Sequence, residues 1–348
     1  MKGKGAQYNP GNPFSKNSVG IVHEEGVDEF VHEEKPKTQL YFESPKNVLS
    51  RNKSPDLKWD FSVNPYQGCE HGCIYCYARN SHTYWGFSAG LDFESKIIVK
   101  KDVAAKLENQ LQKKTWKVQP IMLSGNTDCY QPIEKKFELT RQLLTVALKY
   151  RNPISLITKN ELILRDIDIL KDLARLGLVH VYLSITSLDE QLRGLMEPRT
   201  STSLNRLRAV HELSQAGVPV GVMMAPIIPG LNHTEIPSII EASAKAGALD
   251  AGYTVVRLNG QIAELFEDWL NKKFPERASK VMNHIQSLHG GKPNDTNWQR
   301  RLKGDGEMAS VINQLFTSSK KRFFEGKKMP PYNMNLFRKG GNYSLFDC

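Results

Sequence analysis

Long hydrophobic runs are missing from this chain. The most apolar stretches, such as Val218–Pro229, are far shorter than the ~20 residues a membrane-spanning helix needs. The opening Met1-Lys2-Gly3-Lys4-Gly5-Ala6 has no apolar segment behind its charges, which argues against a secretory signal. Cysteine is scarce. There are five in 348 residues: Cys69, Cys73 and Cys76 crowd together, and Cys129 and Cys348 stand apart. An odd count spaced this way does not make a disulfide framework. Fixed-period repeats and low-complexity tracts are lacking as well. What is present is a hydrophobic fraction of 40% with 9% aromatics, enough for a sizeable core and too much for a disordered chain. Basic residues outnumber acidic ones, 47 against 37, for a formal charge of +10. The expectation is a cytoplasmic, non-membrane protein whose cysteine cluster holds a metal or iron–sulfur centre.

Three regions are expected. Residues 1–50, rich in Gly, Pro, Asn and charge, show no period long enough to bury a face and read as an irregular arm, with Tyr8, Phe14, Tyr41 and Phe42 as anchors. In residues 51–273 short apolar runs alternate with helical periods. Strands are expected at Phe61–Tyr66, Pro120–Ser124, Ile154–Thr158, Val179–Ile185, Val218–Ala225 and Ala251–Arg257. Helices are expected near 140–150, 161–176, 204–216, 234–246 and 261–273, three of them stopped by Gly177, Gly217 and Gly247. Such alternation implies an α/β fold with a parallel sheet, because parallel neighbours need a crossover. Six units give an open sheet or an incomplete barrel, with ligand chemistry at the C-terminal strand ends. Residues 274–348 read as a basic, mainly helical extension, with helices at 278–288 and 308–324 and ten Lys and Arg against four acids over residues 300–348.

The run Gly68-Cys69-Glu70-His71-Gly72-Cys73-Ile74-Tyr75-Cys76 places Cys-x3-Cys-x2-Cys just after the first expected strand. Two glycines let the backbone wrap so that three thiolates converge on one centre. A [4Fe–4S] cube normally takes four cysteines, so three leave one iron for another ligand. Zinc is the rival reading, and it needs His71 or Cys129 to complete a set of four.

With Tyr75 just before the last cysteine, this motif resembles the signature of the radical S-adenosylmethionine (radical SAM) superfamily. Gly5-Ala6 with Asn9-Pro10, Ser54-Pro55-Asp56 and Asn64-Pro65-Tyr66 further resemble its spore photoproduct lyase-like, DNA repair photolyase-type branch, in a PA-type subgroup of unknown substrate. The resemblance implies a partial (βα)6 TIM-like barrel, a [4Fe–4S] cluster on Cys69, Cys73 and Cys76, and S-adenosylmethionine as cofactor. It also implies a reducing partner such as flavodoxin or ferredoxin, and a 5′-deoxyadenosyl radical that abstracts hydrogen from substrate.

Carried over position by position, the resemblance assigns Asn126 and Asp128 to the cofactor's amino group, Lys159 to its carboxylate and Ser184 to its ribose and carboxylate. Ile228, in Ala225-Pro226-Ile227-Ile228-Pro229-Gly230, and Tyr75 are assigned to adenine. Read as residues alone, Asn126 and Asp128 also suit a helix cap, Lys159 a solvated charge, and Glu197 with Arg199 a structural ion pair. The superfamily's frequent Gly-Gly-Glu is absent after the second strand. Cys129 is the candidate catalytic hydrogen-atom donor, although the lyase's cysteine precedes its Thr-Ser-Asp stretch and this one follows Thr127-Asp128; the competing reading is a buried thiol. Tyr253 and Arg257 face substrate or belong to the core. The basic tail, with Phe323, Phe324, Tyr332 and Phe337 interleaved, suits a nucleic-acid substrate. The alternatives are radical modification of a peptide, tRNA or small metabolite, or a non-catalytic metal-stabilised nucleic-acid-binding module.

Overall fold

The structure is a computed structural model and describes residues 3–14, 37–57 and 59–340. Strands β1 (Gln39–Phe42), β2 (Leu49–Arg51), β3 (Phe61–Val63), β4 (Tyr66–Gln67), β5 (Lys96–Val99), β6 (Ile121–Leu123), β7 (Ile154–Thr158), β8 (Val179–Ser184), β9 (Val220–Ile227) and β10 (Asp250–Val255) follow in chain order. In the larger sheet β3, β6, β7, β8, β9 and β10 lie side by side in that order, each pair parallel, with β2 antiparallel on the outer edge of β3. This is the expected partial barrel of six βα units.

Alternation along the strands builds its two faces. Val63, Leu123, Leu156, Val181, Leu183, Val222 and Val255 enter the main core, where they meet Leu143, Leu170, Leu213 and Ile240 of the crossover helices. The intervening positions face the lumen, where Ser62, Ser155, Tyr182, Ser184, Gly221 and Gly252 alternate in register with Met122, Ile157 and Met223. The Tyr182 ring lies across Gly221, where a Cβ would come within 2.5 Å of it.

Local differences from the sequence expectation have plain causes. The strand expected over Phe61–Tyr66 breaks at Asn64-Pro65, since proline has no N–H for the ladder, and resumes as β4 on a different partner, β5. Irregular chain was expected over residues 1–50, yet β1 pairs with β5 and β2 with β3. Strands this short have no legible period of their own; a partner edge recruits them. Residues 15–36 of the arm lie outside the described residues. The C-terminal helices form at Ala278–Leu288 and Gly306–Phe323.

Two segments of the C-terminal region close what the strands leave open. Residues 293–302 run as a strap from β10 to the loop after β2. Val255 and Leu258 donate to the carbonyls of Leu302 and Pro293, both at 3.0 Å. At the other side Asp56 accepts from the Gln299 N–H and Arg301 Nε at 2.5 Å each, and Arg301 also donates to Ser54. The tail then crosses the N-terminal strand ends, with Tyr332 stacked on His180 at 3.9 Å and donating to the Ile154 carbonyl. Among the described residues no helix is long and apolar enough to cross a membrane.

Candidate functional site

The cysteine loop leaves β4 and turns twice through left-handed glycines, Gly68 at φ +78° and Gly72 at φ +69°. A side chain at either would collide, at 2.8 Å from the Lys96 carbonyl and 2.7 Å from the Glu94 carboxylate respectively. The turns bury Cys69 and Cys73 and leave Cys76 half-buried. Burial first, and the neighbouring acidic groups and thiols second, push the Cys69 and Cys73 thiols well up; burial likewise raises Cys76 against the opposing pull of Arg79. Thiols this desolvated become thiolates only when a metal neutralises them.

Three soft donors brought together by one loop fit an iron–sulfur centre. They do not fit zinc with the fourth ligands considered above. His71 has both ring nitrogens engaged, Nδ1 with Asp128 at 3.3 Å and Nε2 with the Asn160 amide at 3.3 Å. Cys129 is fully buried in the main core. Among the described residues no three Cys, His, Asp or Glu side chains are disposed to hold a single ion.

Behind the loop stands a second buried layer. Glu197 and Arg206 form an ion pair with neither side chain exposed. Glu197 also accepts from the Tyr75 hydroxyl and from Thr186 at 2.7 Å, while Arg206 donates to the Ser184 carbonyl at 2.8 Å. Burial would raise the Glu197 carboxyl, but the Arg206 and Lys159 cations and these hydrogen bonds outweigh it and hold it at about 2. Lys159 reaches forward from the end of β7, with Nζ 3.5 Å from the Ala225 carbonyl and 5.9 Å from the centre of the Tyr75 ring.

A family model described as the radical SAM superfamily matches residues 63–242, which takes in the cysteine loop and most of the barrel. The chain belongs to the radical SAM superfamily. Relatives agree. It is 32% identical over 234 residues to the uncharacterized protein Rv2578c of Mycobacterium tuberculosis, covering 66% of this chain and 69% of that one. It is 29% identical to the uncharacterized protein MJ0683 of Methanocaldococcus jannaschii, over 68% of this chain and 85% of that one. Among solved structures, spore photoproduct lyase complexed with dinucleoside spore photoproduct shares the fold with a TM-score of 0.61 over 82% of this chain and 80% of that one, at 16% identity. Membership in the radical SAM superfamily implies an iron–sulfur cluster and S-adenosylmethionine.

Within that radical SAM barrel the residues assigned to the cofactor part into two groups. Tyr75, Lys159, Ser184 and Asn126 stand at the C-terminal strand ends or in the cysteine loop. Asn126 is fixed by its amide nitrogen, which donates to Gln67 at 3.2 Å and Ser81 at 3.0 Å. Asp128, expected to take the cofactor's amino group, is instead occupied by four donors: Thr158, the N–H groups of Lys159 and Tyr130, and His71. Burial would raise its carboxyl, yet His71 and these donors hold it at about 2. Ile228, expected to offer backbone to adenine, is closed on its own turn: its N–H donates to the Asn232 side chain at 2.6 Å and its carbonyl accepts from Leu231 and Asn232. The Cys129 N–H donates to Ser124 at 2.8 Å and the residue is 0% exposed, packed in the main core.

One further expectation is corrected: Glu197 pairs with Arg206, and Arg199 donates instead to the Glu94 carbonyl at 2.9 Å. Of the two readings of Tyr253 the core one holds, since it is buried in the main core against Phe316 at 4.5 Å. Arg257 donates to Asn294 of the strap. Sequence reasoning missed Arg79, Glu94 and Arg206, all fully buried. A buried charge carries no local signal; only its partner, elsewhere in the chain, explains it.

Proposed function

We propose that the chain uses a [4Fe–4S] cluster on Cys69, Cys73 and Cys76 to cleave S-adenosylmethionine reductively to a 5′-deoxyadenosyl radical, which abstracts hydrogen from a nucleic-acid substrate in a photolyase-like repair or modification. The observation that carries the reading is the loop itself, three desolvated thiols with, among the described residues, no further Cys, His, Asp or Glu disposed to share a single ion with them. On this reading residues 51–273 are the catalytic core, and the described parts of the arm and of the C-terminal extension, residues 3–14, 37–50 and 274–340, complete its walls.

The chain's own groups bind, orient and exclude water. Lys159 offers an ammonium to a carboxylate, with Ser184 beside it, and Asn126 presents its carbonyl oxygen to an ammonium. Tyr75, pinned through its hydroxyl by Glu197, presents its ring to the adenine base. Asp128 acts at one remove, by locking His71 of the cysteine loop and the Lys159 backbone in place. The strap at the side and the tail beneath keep the lumen from bulk water, as a reactive radical requires.

Support for nucleic acid comes from three directions. The fold neighbour is spore photoproduct lyase complexed with a dinucleoside photoproduct, the chain carries a charge of +10, and the strap exposes Trp298 with the Arg301 guanidinium 4.0 Å over its ring. Flavodoxin or ferredoxin in the cytoplasm would supply the electron. The test is anaerobic reconstitution followed by reduction. A brown protein that forms 5′-deoxyadenosine, faster with DNA and with deuterium transferred from labelled DNA, supports the reading. Cofactor cleavage indifferent to DNA, with no salt-dependent DNA retention, removes the substrate assignment.

A further inference from the structure

The amino-terminal segment 3–14 takes no part in the chemistry above, yet it lies directly against the cysteine loop. Glu94 is the joint. Its carboxylate is fully buried, and it accepts the Ala6 N–H at 2.8 Å on one oxygen and the Gly5 N–H at 3.2 Å on the other. From the opposite side Arg79 donates to the same carboxylate at 2.6 Å. Arg79 also donates to the carbonyls of Cys73 at 2.9 Å, Gly72 at 3.1 Å, Gly90 at 3.0 Å and Ala89 at 3.1 Å. Segment and loop therefore share one buried ion pair whose two charges are both saturated, the condition under which such a pair holds a geometry rather than straining it.

The fit leaves no slack. A Cβ on Gly5 would sit 1.8 Å from the Gly72 carbonyl oxygen. Ala6 is 0% exposed and packs in one cluster with Cys73, Ile74 and Tyr75. Farther on, Asn9 exchanges two hydrogen bonds with Asp92, at 3.1 and 2.9 Å. The Tyr8 carbonyl accepts from Leu91 at 3.3 Å and the Pro10 carbonyl from Ser88 at 2.8 Å. The Asn12 amide donates to the carbonyls of Thr83 and Phe87 at 2.9 and 3.2 Å. Each of these partners belongs to the cysteine loop or to the residues immediately after it.

We infer that residues 3–14 are a positioning segment for the metal centre. Acting through Glu94 and Arg79, they fix the backbone between Cys69 and Cys76, so that retention of the cluster and its reduction potential depend on a stretch far upstream in the chain. Backbone dipoles and solvent access around the sulfurs are what set such a potential. The inference rests on the iron–sulfur reading of that loop.

The test uses the full-length, reconstituted protein. Gly5→Val drives a side chain into the Gly72 carbonyl, and Asn9→Ala combined with Asn12→Ala loosens the outer contacts without a clash. Ile312→Ala, in the distant helix Gly306–Phe323, is the control for lost global stability. Iron release to a chelator, the cluster's midpoint potential and the melting temperature are measured for each. Both segment variants are expected to release iron about tenfold faster than the wild type and to show a displaced potential, while the control melts lower but keeps wild-type release and potential. Wild-type release and potential in the segment variants overturn the inference, and so does a control that loses iron as fast as they do. Should Gly5→Val fail to fold, the double asparagine variant decides. A wild-type protein that takes up no iron and sulfide sinks the reading of the loop instead.

Discussion

Glu197 accepts hydrogen bonds from Tyr75 and Thr186 and pairs with Arg206 without reaching solvent. Removing Arg206 leaves that carboxylate buried and unpaired, so Arg206→Met should cost ~3–5 kcal/mol in urea denaturation of the apoprotein. His82 gives a second test. It is buried between Phe87 and Phe93, and among the described residues neither ring nitrogen has a partner. Burial lowers its pKa to about 4; Asp92 opposes the shift, and Lys96 and Arg79 add to it. The folded imidazole thus stays neutral where the unfolded one, near ~6.5, takes a proton. Its contribution is complete above about pH 6.5 and is lost as pH falls toward 4. His82→Leu should flatten the stability profile over that interval, and an unchanged slope would count against the assignment. Asp128 and Glu197, both held at about 2, lose their contributions as pH falls from the ordinary carboxylate range toward 2, overlapping only the acid end of that window.

At the scale of elements, the strap over residues 293–302 is tied to the barrel by Asp56, which takes Gln299 and Arg301 together. Hydrogen bonds to a charged group are stronger than those between neutral groups. Asp56→Ala should therefore raise amide exchange over 293–302 while leaving β7 and β8 protected. Equal protection in both proteins would show that the strap is held by its contacts to β10 alone. Ser54-Pro55-Asp56 stood out in the sequence, but its partner lies near the other end of the chain, so its purpose could not be read there. The core elements were legible for the opposite reason. The strand Ile154–Thr158 and the helix Ala278–Leu288 appear with the bounds the sequence suggested, since each carries a complete apolar period. The strands β1, β2 and β5 carry three or four residues each, too few to show one.

For the whole molecule, metal binding and folding share one free energy. Reconstitution should raise the melting temperature of the wild type, and replacing Cys69, Cys73 or Cys76 by serine should abolish that rise along with the brown colour. A serine variant that stays brown and still gains stability would contradict the three-cysteine assignment.

The sequence by itself determined the βα alternation, the superfamily and the crowding of three cysteines into one loop, because these depend on residues a few positions apart. Only the tertiary structure decided which polar side chains remain free to meet a cofactor. The Asp128 carboxylate stands as prominently in the chain as the Lys159 ammonium does, but it is taken up by Thr158, His71 and two backbone N–H groups. A polar group's availability is set by what packs against it, and those neighbours are brought from distant parts of the chain by folding.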